Sequence, residues 1–431
     1  MYEKLVVVGL GYVGLPTAVV FASKGLRVIG VDIDKQKVKA INEGKCYIHE
    51  PGLDALLKCV VSKGLLSATT EGVEAIKESD ATIIAVNTPV RNNGSADLFQ
   101  LMSALKTVRR GLHKGLLVVI ESTLPPGTMM NVVKPFLEET GLRSGADFYI
   151  AHVPERIAPG KAIEELTNVP RIIGGIDPES TRRAYELYSR INRELYLTDA
   201  TTAEFVKLIE NTFRDLNIAY ANFLALVAEK LGIDVYEAIR LANTHLRVNI
   251  HIPGAGVGGP CLTKDPHLLL SSIGEVLGSE LIKIARRIND YMPIHIVNKV
   301  MDIIKREGLG LYNIKVVVLG TAYKGDVDDT RESPAGKIIK ELINRGMYVV
   351  AYDPYAREFF GAEKANSVED ALRDADIVII ATDHSLFRSL NWAKLGELMR
   401  NRVIVDGRRV LEPSKARKLG FKYYGVGYGK S

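Results

Sequence analysis

The chain has 431 residues, enough for two or three domains that each bury a sizeable core. Its 56 Lys and Arg residues against 51 Asp and Glu leave a net charge of +5 without a dense basic run, which argues against nucleic acid as a partner. Three cysteines and no Cys-x-x-Cys pair exclude a cysteine-rich zinc site and fit a reducing cytoplasm, so no metal site is predicted.

The window from Leu5 to Ser23 carries no charge, as a membrane span or a signal peptide would. It contains three spaced glycines and Pro16, so we interpret it as a buried strand followed by a helix. No other segment competes with it, and we predict no membrane partner.

The N-terminal segment predicts a dinucleotide-binding unit. An apolar strand ends in G-x-G-x-x-G, a helix follows, and a second apolar strand ends in Asp32. Gly9 permits the tight turn, Gly11 lets the backbone approach a pyrophosphate, and Gly14 lets the helix pack closely on the strand. Because Asp32 accepts from ribose hydroxyls and repels a 2′-phosphate, the predicted cofactor is NAD rather than NADP.

Apolar runs alternate with helical patterns through the first third of the chain. These runs are 4–9, 27–32, 81–86, 116–120 and 148–151. The alternation predicts a parallel sheet with helices on both faces. Polar loops follow three of the runs, at the sheet edge where open α/β folds bind ligands, and we expect these loops to line one cleft. The loops are 87–89, 121–123 and 154–156.

The middle of the chain is predicted to be helical. Residues 199–231 hold apolar side chains at helical spacing without a proline, which predicts a helix about 50 Å long. A helix of that length is typical of a bridge between domains, and its apolar surface could pair with a second copy of the chain. Two further helices are predicted near 234–244 and 279–306.

The last third of the chain repeats the first. The runs 314–320, 348–353 and 376–381 echo the earlier strands, but Gly320 is followed by Thr-Ala-Tyr-Lys-Gly and the triple-glycine turn is lost. We therefore expect a second doubly wound domain that holds a different phosphate-bearing ligand. The predicted fold is α/β, with two Rossmann-like parallel-sheet domains over 1–198 and 309–431 and a helical connector over 199–308.

A glycine-rich loop leads out of the connector. Four glycines lie within 254–259, Cys261 follows, and Lys264 and Asp265 come three and four residues later. Such a loop can present an activated thiol nucleophile. The alternative is a glycine-rich turn with a buried structural cysteine, because free cysteine usually packs as a small hydrophobe.

Seven short segments occur in order along the chain: Gly9–Pro16 (GLGYVGLP), Asn87–Pro89 (NTP), Glu121–Thr123 (EST), Lys207–Asn211 (KLIEN), Gly256–Asp265 (GVGGPCLTKD), Asp329–Pro334 (DTRESP) and Asp406–Arg409 (DGRR). Together they resemble one family, the UDP-glucose/GDP-mannose dehydrogenases. The resemblance implies oxidation of the C6 alcohol of a nucleotide sugar to a carboxylate with two NAD per turnover. In such enzymes the Cys261 thiolate would capture the aldehyde as a thiohemiacetal and carry it to a thioester.

The resemblance also implies roles for the other polar residues of these segments. Lys207 would act as acid or base, or stabilise the developing oxyanion, and Asn211 would donate to that oxyanion. Asp265 would help to activate the thiol or the hydrolytic water. Thr123 and Glu155 would position that water.

Binding residues carry over in the same way. The cofactor contacts implied are Gly9, Gly11, Tyr12, Val13, Gly14, Asp32, Lys37, Thr88, Thr123 and Arg331. The contacts implied for the UDP-sugar are Arg156, Ile157, Lys207, Asn211, Arg214, Arg247, His251, Gly258, Tyr323, Lys324 and either Arg408 or Arg409. Arginine suits this task because its planar fork matches diphosphate oxygens. The predicted assembly is a homodimer or a multiple of a dimer. Arg247 could act across the interface between its two chains.

The sugar is less sharply defined by the sequence. Gly256-Val-Gly-Gly, with His251-Ile-Pro before it, resembles the branch that acts on UDP-N-acetyl-D-mannosamine. Pro260 departs from the family pattern, and Lys264-Asp265 resembles the UDP-glucose enzymes. UDP-glucose or UDP-N-acetylglucosamine is the alternative substrate. More distant alternatives are a two-electron hydroxyacid dehydrogenase and a non-catalytic dinucleotide-binding protein.

Overall fold

The computed structural model describes residues 2–91, 93–273, 276–310 and 314–430. They form two compact units, the first Met1–Glu210 with His267–Glu275 and the second Asn211–Pro266 with Val276–Ser431. The long predicted helix crosses from the first unit to the second at Glu210. The division into three domains stays a prediction.

The first unit is built around one sheet. Its strands are β1 (Lys4–Val8), β2 (Arg27–Val31), β3 (Leu66–Thr69), β4 (Ala81–Ile84), β5 (Leu117–Ile120), β6 (Tyr149–His152), β7 (Arg171–Gly175) and β8 (Leu195–Asp199). Its helices are α1 (Gly14–Ser23), α2 (Lys35–Asn42), α3 (Leu53–Ser62), α4 (Gly72–Lys77), α5 (Phe99–Gly111), a π-helical turn (Met129–Val133), α6 (Lys134–Glu138), α7 (Ala162–Asn168), α8 (Pro178–Tyr188) and the first part of α9 (Ala200–Leu231).

Within the described residues, the strands of this sheet run in the order β3-β2-β1-β4-β5-β6-β7-β8. The first six strands follow the doubly wound order, so the carboxyl ends of β1, β4 and β5 meet at one edge. The central strands β1, β4, β5 and β6 alternate their side chains between two apolar clusters, as Leu5 and Val7 on one face of β1 and Val6 and Val8 on the other illustrate. All neighbours are parallel except β6 and β7, which pair in opposite directions. The predicted parallel sheet is therefore correct up to β6.

The second unit repeats this architecture. Its strands are β9 (Lys315–Leu319), β10 (Tyr348–Tyr352), β11 (Glu363–Lys364), β12 (Ile377–Ile380), β13 (Val403–Asp406) and β14 (Lys422–Gly425). Its helices are the rest of α9, α10 (Val235–Ala242), α11 (Asp265–Ile273, shared with the first unit), α12 (Ser279–Arg306), α13 (Pro334–Asn344), α14 (Val368–Leu372), α15 (Ser385–Ser389), α16 (Trp392–Leu398) and α17 (Pro413–Lys418). The described strands form an all-parallel sheet in the order β11-β10-β9-β12-β13-β14. The expected second doubly wound domain and the expected long helix are both confirmed.

The repeat extends to individual hydrogen bonds. The Gly9 N–H donates to the Val31 carbonyl at 2.8 Å, and the Gly320 N–H donates to the Tyr352 carbonyl at the same distance. Asp32 accepts from the N–H of Leu10, the residue after Gly9. Asp353 likewise accepts from the N–H of Thr321, the residue after Gly320. Asp353, however, also accepts from His384 Nε2 and from three further backbone N–H groups. Burial raises its pKa, but these bonds outweigh burial and hold the pKa at about 2.

In the described part of the chain, no helix combines the length and the apolar character that crossing a bilayer requires. α1 is short, and Pro16 lies in its first turn, where its missing N–H costs no hydrogen bond. The apolar N-terminal window is therefore a strand, a turn and a buried helix, as predicted.

Candidate active site

The glycine turn between β1 and α1 has the shape that a dinucleotide needs. A Cβ on Gly9, where φ is +91°, would lie 2.6 Å from the Ala85 carbonyl oxygen, and a Cβ on Gly14 would lie 1.8 Å from the Gly9 carbonyl oxygen. A Cβ on Gly11 would meet no described atom within 4 Å. Gly9 and Gly14 are thus required by packing, whereas Gly11 faces open space that a pyrophosphate can enter. Tyr12 and Val13 lie in this turn, as predicted.

Asp32 lies directly after β2 and joins this turn. Its carboxylate accepts from the N–H of Leu10 at 2.9 Å and from the N–H of Asp34 at 3.0 Å. Lys37 Nζ lies 3.8 Å from its second oxygen. Two carboxylate oxygens accept about four hydrogen bonds, so capacity remains for ribose hydroxyls. Tyr47, which the sequence did not suggest, donates its hydroxyl to the Leu10 carbonyl and helps to hold the turn.

Replacing Asp32 by Ala should weaken NAD binding by about 10- to 100-fold, the value of one or two hydrogen bonds to a charged group. NADP binding should change less, because the same substitution removes a charge that repels the 2′-phosphate. Calorimetric titration of both cofactors checks the ratio. A wild type that prefers NADP would contradict the assignment of NAD.

Polar loops follow β4 and β5, the strands next to β1. Thr88 is buried, and its Oγ1 has no hydrogen-bond partner among the described residues. Ser122 accepts from the N–H of Val86 at 2.9 Å and so joins the two loops, with Thr123 half-buried beside it. An orphaned buried hydroxyl at the ligand edge of the sheet fits a cofactor contact.

Lys207, on α9, is paired with the loop that follows β6. Its Nζ donates to the Glu155 carbonyl oxygen at 2.5 Å and lies 3.7 Å from Glu155 Oε2, and both side chains are buried. One turn later on the helix, Glu210 forms a two-bond ion pair with Arg156, which also donates to the Pro170 carbonyl. The structure therefore pairs Lys207 with Glu155, and their catalytic roles stay a prediction. In the structure, the Glu210 carboxylate holds the Arg156 guanidinium.

Ile157 is also engaged within the first unit, because its N–H donates to Glu155 Oε1. Glu50 reinforces the same loop by accepting from the N–H groups of Gly160 and Ala162 at 2.8 and 2.7 Å. The loop that would contact substrate is thus fixed at several backbone positions.

Glu204 is a residue of this region that the sequence analysis missed. It lies one turn before Lys207 on α9, fully buried, and accepts from the N–H groups of Gly127 and Met129 at 2.6 and 2.7 Å. Those N–H groups belong to the start of the helix that follows the Thr123 loop. The prolines at 125 and 126 signalled the turn, but nothing local identified its acceptor 75 residues later. Burial raises the pKa of Glu204 to about 7.

This raised pKa predicts a pH-dependent stability. The unfolded chain loses the Glu204 proton near the ordinary pKa, about 4.5, and the folded chain holds it until about 7, so this residue's contribution is lost as pH rises between these values. The loss is at most about 3 kcal/mol, since each pKa unit corresponds to about 1.4 kcal/mol. Glu204→Gln should therefore gain stability relative to wild type between about pH 5 and pH 8, measured as melting temperature. Glu164→Gln, at an exposed site of the same unit, should show no such gain.

In the second unit, the cysteine loop requires its glycines. Gly256 and Gly259 have φ values of +131° and +86°. A Cβ on Gly258 would lie 2.7 Å from the Glu332 carbonyl oxygen, and a Cβ on Gly259 would lie 2.7 Å from the Tyr323 ring. The loop is therefore pressed against the two segments that carry the predicted substrate and cofactor residues Tyr323 and Arg331. The Gly259 N–H donates to the Arg331 carbonyl at 3.0 Å.

Cys261 is half-buried at the end of this loop, and its carbonyl accepts from the N–H groups of Lys264 and Asp265 at 3.0 and 2.9 Å. The turn leads directly into α11. Asp265 is fully buried, and its carboxylate accepts from Asn211 Nδ2 at 2.5 Å and lies 3.2 Å from Lys264 Nζ. The structure thus pairs Asn211 with Asp265 in the turn that begins at Cys261, and the catalytic roles of the three residues stay a prediction. No disulfide involves the cysteines of the described chain.

The predicted substrate residues of the second unit differ in their surroundings. Burial raises the pKa of Tyr323, and Asp329 and Cys261 add to the effect. The Arg331 guanidinium pairs with Asp329 at 2.6 Å. Burial, and then Arg214, lowers the pKa of His251. Gly258 lies in the cysteine loop, and the exposed residues are Arg214, Arg247 and Lys324.

Arg408 and Arg409 have different contacts. Arg409 is bound to both oxygens of Asp234 at 2.9 and 2.5 Å and lies over the ring of Tyr236. Arg408 donates to the carbonyl of Gly256, in the cysteine loop, at 3.3 Å. Of the two, Arg408 is therefore the one beside the loop.

These sites define an NAD-dependent dehydrogenase of nucleotide sugars, and comparison with known proteins identifies the family. The chain matches the UDP-glucose/GDP-mannose dehydrogenase family, with its NAD binding domain over residues 3–192, its central domain over 201–291 and its UDP binding domain over 317–413. This chain belongs to that family.

Several relatives are similar along their full length. The UDP-N-acetyl-D-mannosamine dehydrogenase of Pyrococcus horikoshii is 47% identical over 427 residues, 99% of each chain. The solved structure of the UDP-D-ManNAc dehydrogenase from that organism has a TM-score of 0.93 at 46% identity and covers 100% of both chains. A UDP-glucose dehydrogenase structure from Pyrobaculum islandicum has a TM-score of 0.88 at 34% identity and covers 99% of this chain and 98% of the other.

Proposed function

We propose that this chain oxidises the C6 hydroxyl of UDP-N-acetyl-D-mannosamine to the carboxylate, in two NAD-dependent steps on one covalently held substrate. The observation that carries the chemistry is the pairing of Asn211 with buried Asp265 in the turn that begins at Cys261. The sugar is supported by the names of the most similar relatives reported above. UDP-glucose is the alternative, supported by the P. islandicum structure.

When bound, NAD accepts one hydride in each of the two oxidations. Lys207 takes the proton of the C6 hydroxyl as the first hydride leaves, which gives an aldehyde. The Cys261 thiolate adds to the aldehyde carbon, and protonated Lys207 returns its proton to the oxygen, which forms a thiohemiacetal. Lys207 takes that proton again as the second hydride leaves C6, and a thioester remains. Water then adds, the C–S bond breaks, and the thiolate and the carboxylate product separate.

The polar residues support the charges that develop in these steps. The Asn211 amide has two N–H donors, and Asp265 accepts from one of them, which leaves the second for an oxyanion at C6. The Lys207 ammonium that exists after the proton transfer donates to the Glu155 carbonyl, and its charge stabilises an oxyanion at C6. Glu155 and Thr123 orient the hydrolytic water. Asp265 activates the thiol or that water.

The remaining site residues are proposed to bind. Arg408, rather than Arg409, contacts the substrate, because Arg408 lies beside the cysteine loop, where it donates to the Gly256 carbonyl. The other substrate contacts are Arg156, Ile157, Arg214, Arg247, His251, Gly258, Tyr323 and Lys324. The cofactor contacts are Tyr12, Val13, Lys37, Thr88 and Arg331 beside the three glycines and Asp32. We place the reaction in the cytoplasm, where the cysteine thiol stays reduced.

A panel of UDP and GDP sugars with NAD tests the proposal. Absorbance of NADH and product mass should show two NADH and one acid per UDP-N-acetyl-D-mannosamine, with higher kcat/KM than for UDP-glucose or UDP-N-acetylglucosamine. Higher kcat/KM for UDP-glucose would replace the sugar but keep the reaction. One NADH per substrate, or turnover of a hydroxyacid alone, would contradict the reaction itself.

We also propose a homodimer formed through α9. The helix exposes six large apolar side chains on one face, at spacings of three, four, seven and eight residues: Phe205, Ile209, Phe213, Tyr220, Phe223 and Leu231. Light scattering should give twice the chain mass, or a multiple of it, at micromolar concentration. Phe223→Glu should shift the mass towards the monomer, whereas Phe99→Glu, at an exposed site on α5, should not. A fully active wild-type monomer would contradict the dimer.

A further inference from the structure

A buried polar cluster in the second unit contacts both ends of the cysteine loop. We define the polar cluster as Asp215 and Asn222 on α9 with Arg286 and Asn289 on α12. Their exposed fractions are 0, 0, 5 and 1%. None of these residues has a part in the reaction proposed above.

One end of the loop begins at Gly254. Its N–H donates to Asn222 Oδ1 at 2.9 Å, and Asn222 Nδ2 donates to Asn289 Oδ1 at 2.9 Å. Asn289 Nδ2 in turn donates to Asp215, at 2.7 Å to the carboxylate and 3.0 Å to the backbone carbonyl. Each bond is short, and the donor and acceptor of both amides are used.

The other end of the loop is the residue after the nucleophile. Arg286 donates to the same Asp215 oxygen at 2.6 Å, to Asp290 at 2.7 Å, and to the Leu262 carbonyl at 3.4 Å. Leu262 is bonded directly to Cys261. The polar cluster therefore forms a continuous path of hydrogen bonds from Gly254 to the neighbour of the thiol.

The stability of the fold does not by itself explain this arrangement. Asp215 Oδ2 and Arg286 Nε have no hydrogen-bond partner among the described residues, although both are buried. Replacing a buried ion pair by well-packed apolar residues is often neutral or stabilising. Packing α9 against α12 would not by itself require the polar cluster, whereas fixing two backbone groups of a loop does.

We propose that the polar cluster positions the cysteine loop, so that the Cys261 thiolate captures the aldehyde before it escapes. The proposal rests on the proposed function, because it needs Cys261 as the nucleophile. Reacting atoms must approach to about 3–3.5 Å, and a displacement of about 1 Å can cost about 10²-fold in rate. The four members are positioning residues, since they act through the loop backbone.

Arg286→Met tests this directly. The rate of acid formation should fall about 10²-fold, while KM for the UDP-sugar and for NAD stays within about twofold. Aldehyde that is not captured should appear in solution, trapped with hydroxylamine, so the ratio of NADH to acid should rise above two. A role in stability alone would not change this ratio.

Two matched variants serve as controls. Arg287→Met is the same substitution at the next, exposed residue of α12, and it should keep the wild-type rate and ratio. Ile303→Val removes one buried methyl group from the same helix and measures the effect of lower stability alone. The proposal is overturned if Arg286→Met keeps a ratio of two and loses no more rate than Ile303→Val. If Arg286→Met does not fold, Asn222→Ala, which removes the contact with Gly254, decides by the same two measurements.

The failure of this proposal is distinguishable from the failure of the proposed function. Wild-type acid formation by Cys261→Ala would overturn the function. Loss of acid formation in Cys261→Ala beside a normal Arg286→Met would overturn only the role of the polar cluster.

Discussion

Cys261→Ala should reduce formation of the acid by about 10³-fold or more, the usual size of effect when a covalent nucleophile is removed. The substitution leaves the glycines that shape the loop, and the Asn211–Asp265 contact, in place. NAD and UDP should therefore bind with unchanged affinity, measured by calorimetry. Product mass spectrometry should show aldehyde in place of acid, because the first oxidation does not require the thiol.

Two further variants sharpen this prediction. Cys59→Ala removes an exposed cysteine of α3 and should behave as wild type. Cys261→Ser should stall as a slowly hydrolysed ester, since an alkoxide leaves less readily than a thiolate. Mass spectrometry should then find the sugar nucleotide attached to the peptide that contains residue 261. If Cys261→Ala still converts substrate fully to acid, Cys261 is a structural thiol and the proposed mechanism is wrong.

Gly14→Ala should abolish NAD binding and destabilise the first unit together. The new Cβ would lie 1.8 Å from the Gly9 carbonyl oxygen, a backbone atom that cannot move without opening the turn. Overpacking of this severity costs about 3 kcal/mol. For a unit of this size the melting temperature should fall by about 5–10 °C, as calorimetry can measure.

Gly11→Ala provides the contrast, because a Cβ at Gly11 meets no described protein atom within 4 Å. It should leave the melting temperature unchanged and weaken NAD binding, since only the ligand approaches that position. Equal losses of stability in the two variants would contradict the different roles assigned to the two glycines.

Much of the fold could be predicted from local sequence patterns. β1, β2, β4, β5 and β6 are continuous apolar runs, because both faces of their sheet are covered. β8 was missed since it is an edge strand that leaves Tyr196 and Leu197 more than half exposed. β3 was missed because Ser67 and Thr69 interrupt its apolar residues, and the antiparallel pairing of β7 cannot be inferred from its composition.

The candidate site was predictable where a motif carries its own chemistry, as in the glycine turn and the cysteine loop. It was not predictable where the partner lies far along the chain. Glu204 joins residues 75 and 77 positions away, and Arg286 joins Asp215 across 71 positions. Such contacts depend on how helices pack against the sheets, which no local spacing encodes. Arg409 was proposed for substrate beside Arg408 because nothing in the sequence indicates its pairing with Asp234, 175 residues earlier.

The engagement of Asp353 bears on the order of events in turnover. In the described part of the second unit, the carboxylate corresponding to Asp32 is occupied by a histidine and by backbone N–H groups, so this half of the duplication is closed to a ribose. Both oxidations must then use NAD bound in turn at the same glycine turn, that of the first unit. The aldehyde must therefore stay on the enzyme while NADH is exchanged for NAD. A covalent bond to the enzyme would keep the aldehyde bound during that exchange. In the proposed mechanism, the Cys261 thiolate would therefore hold the aldehyde through the cofactor exchange as well as capture it.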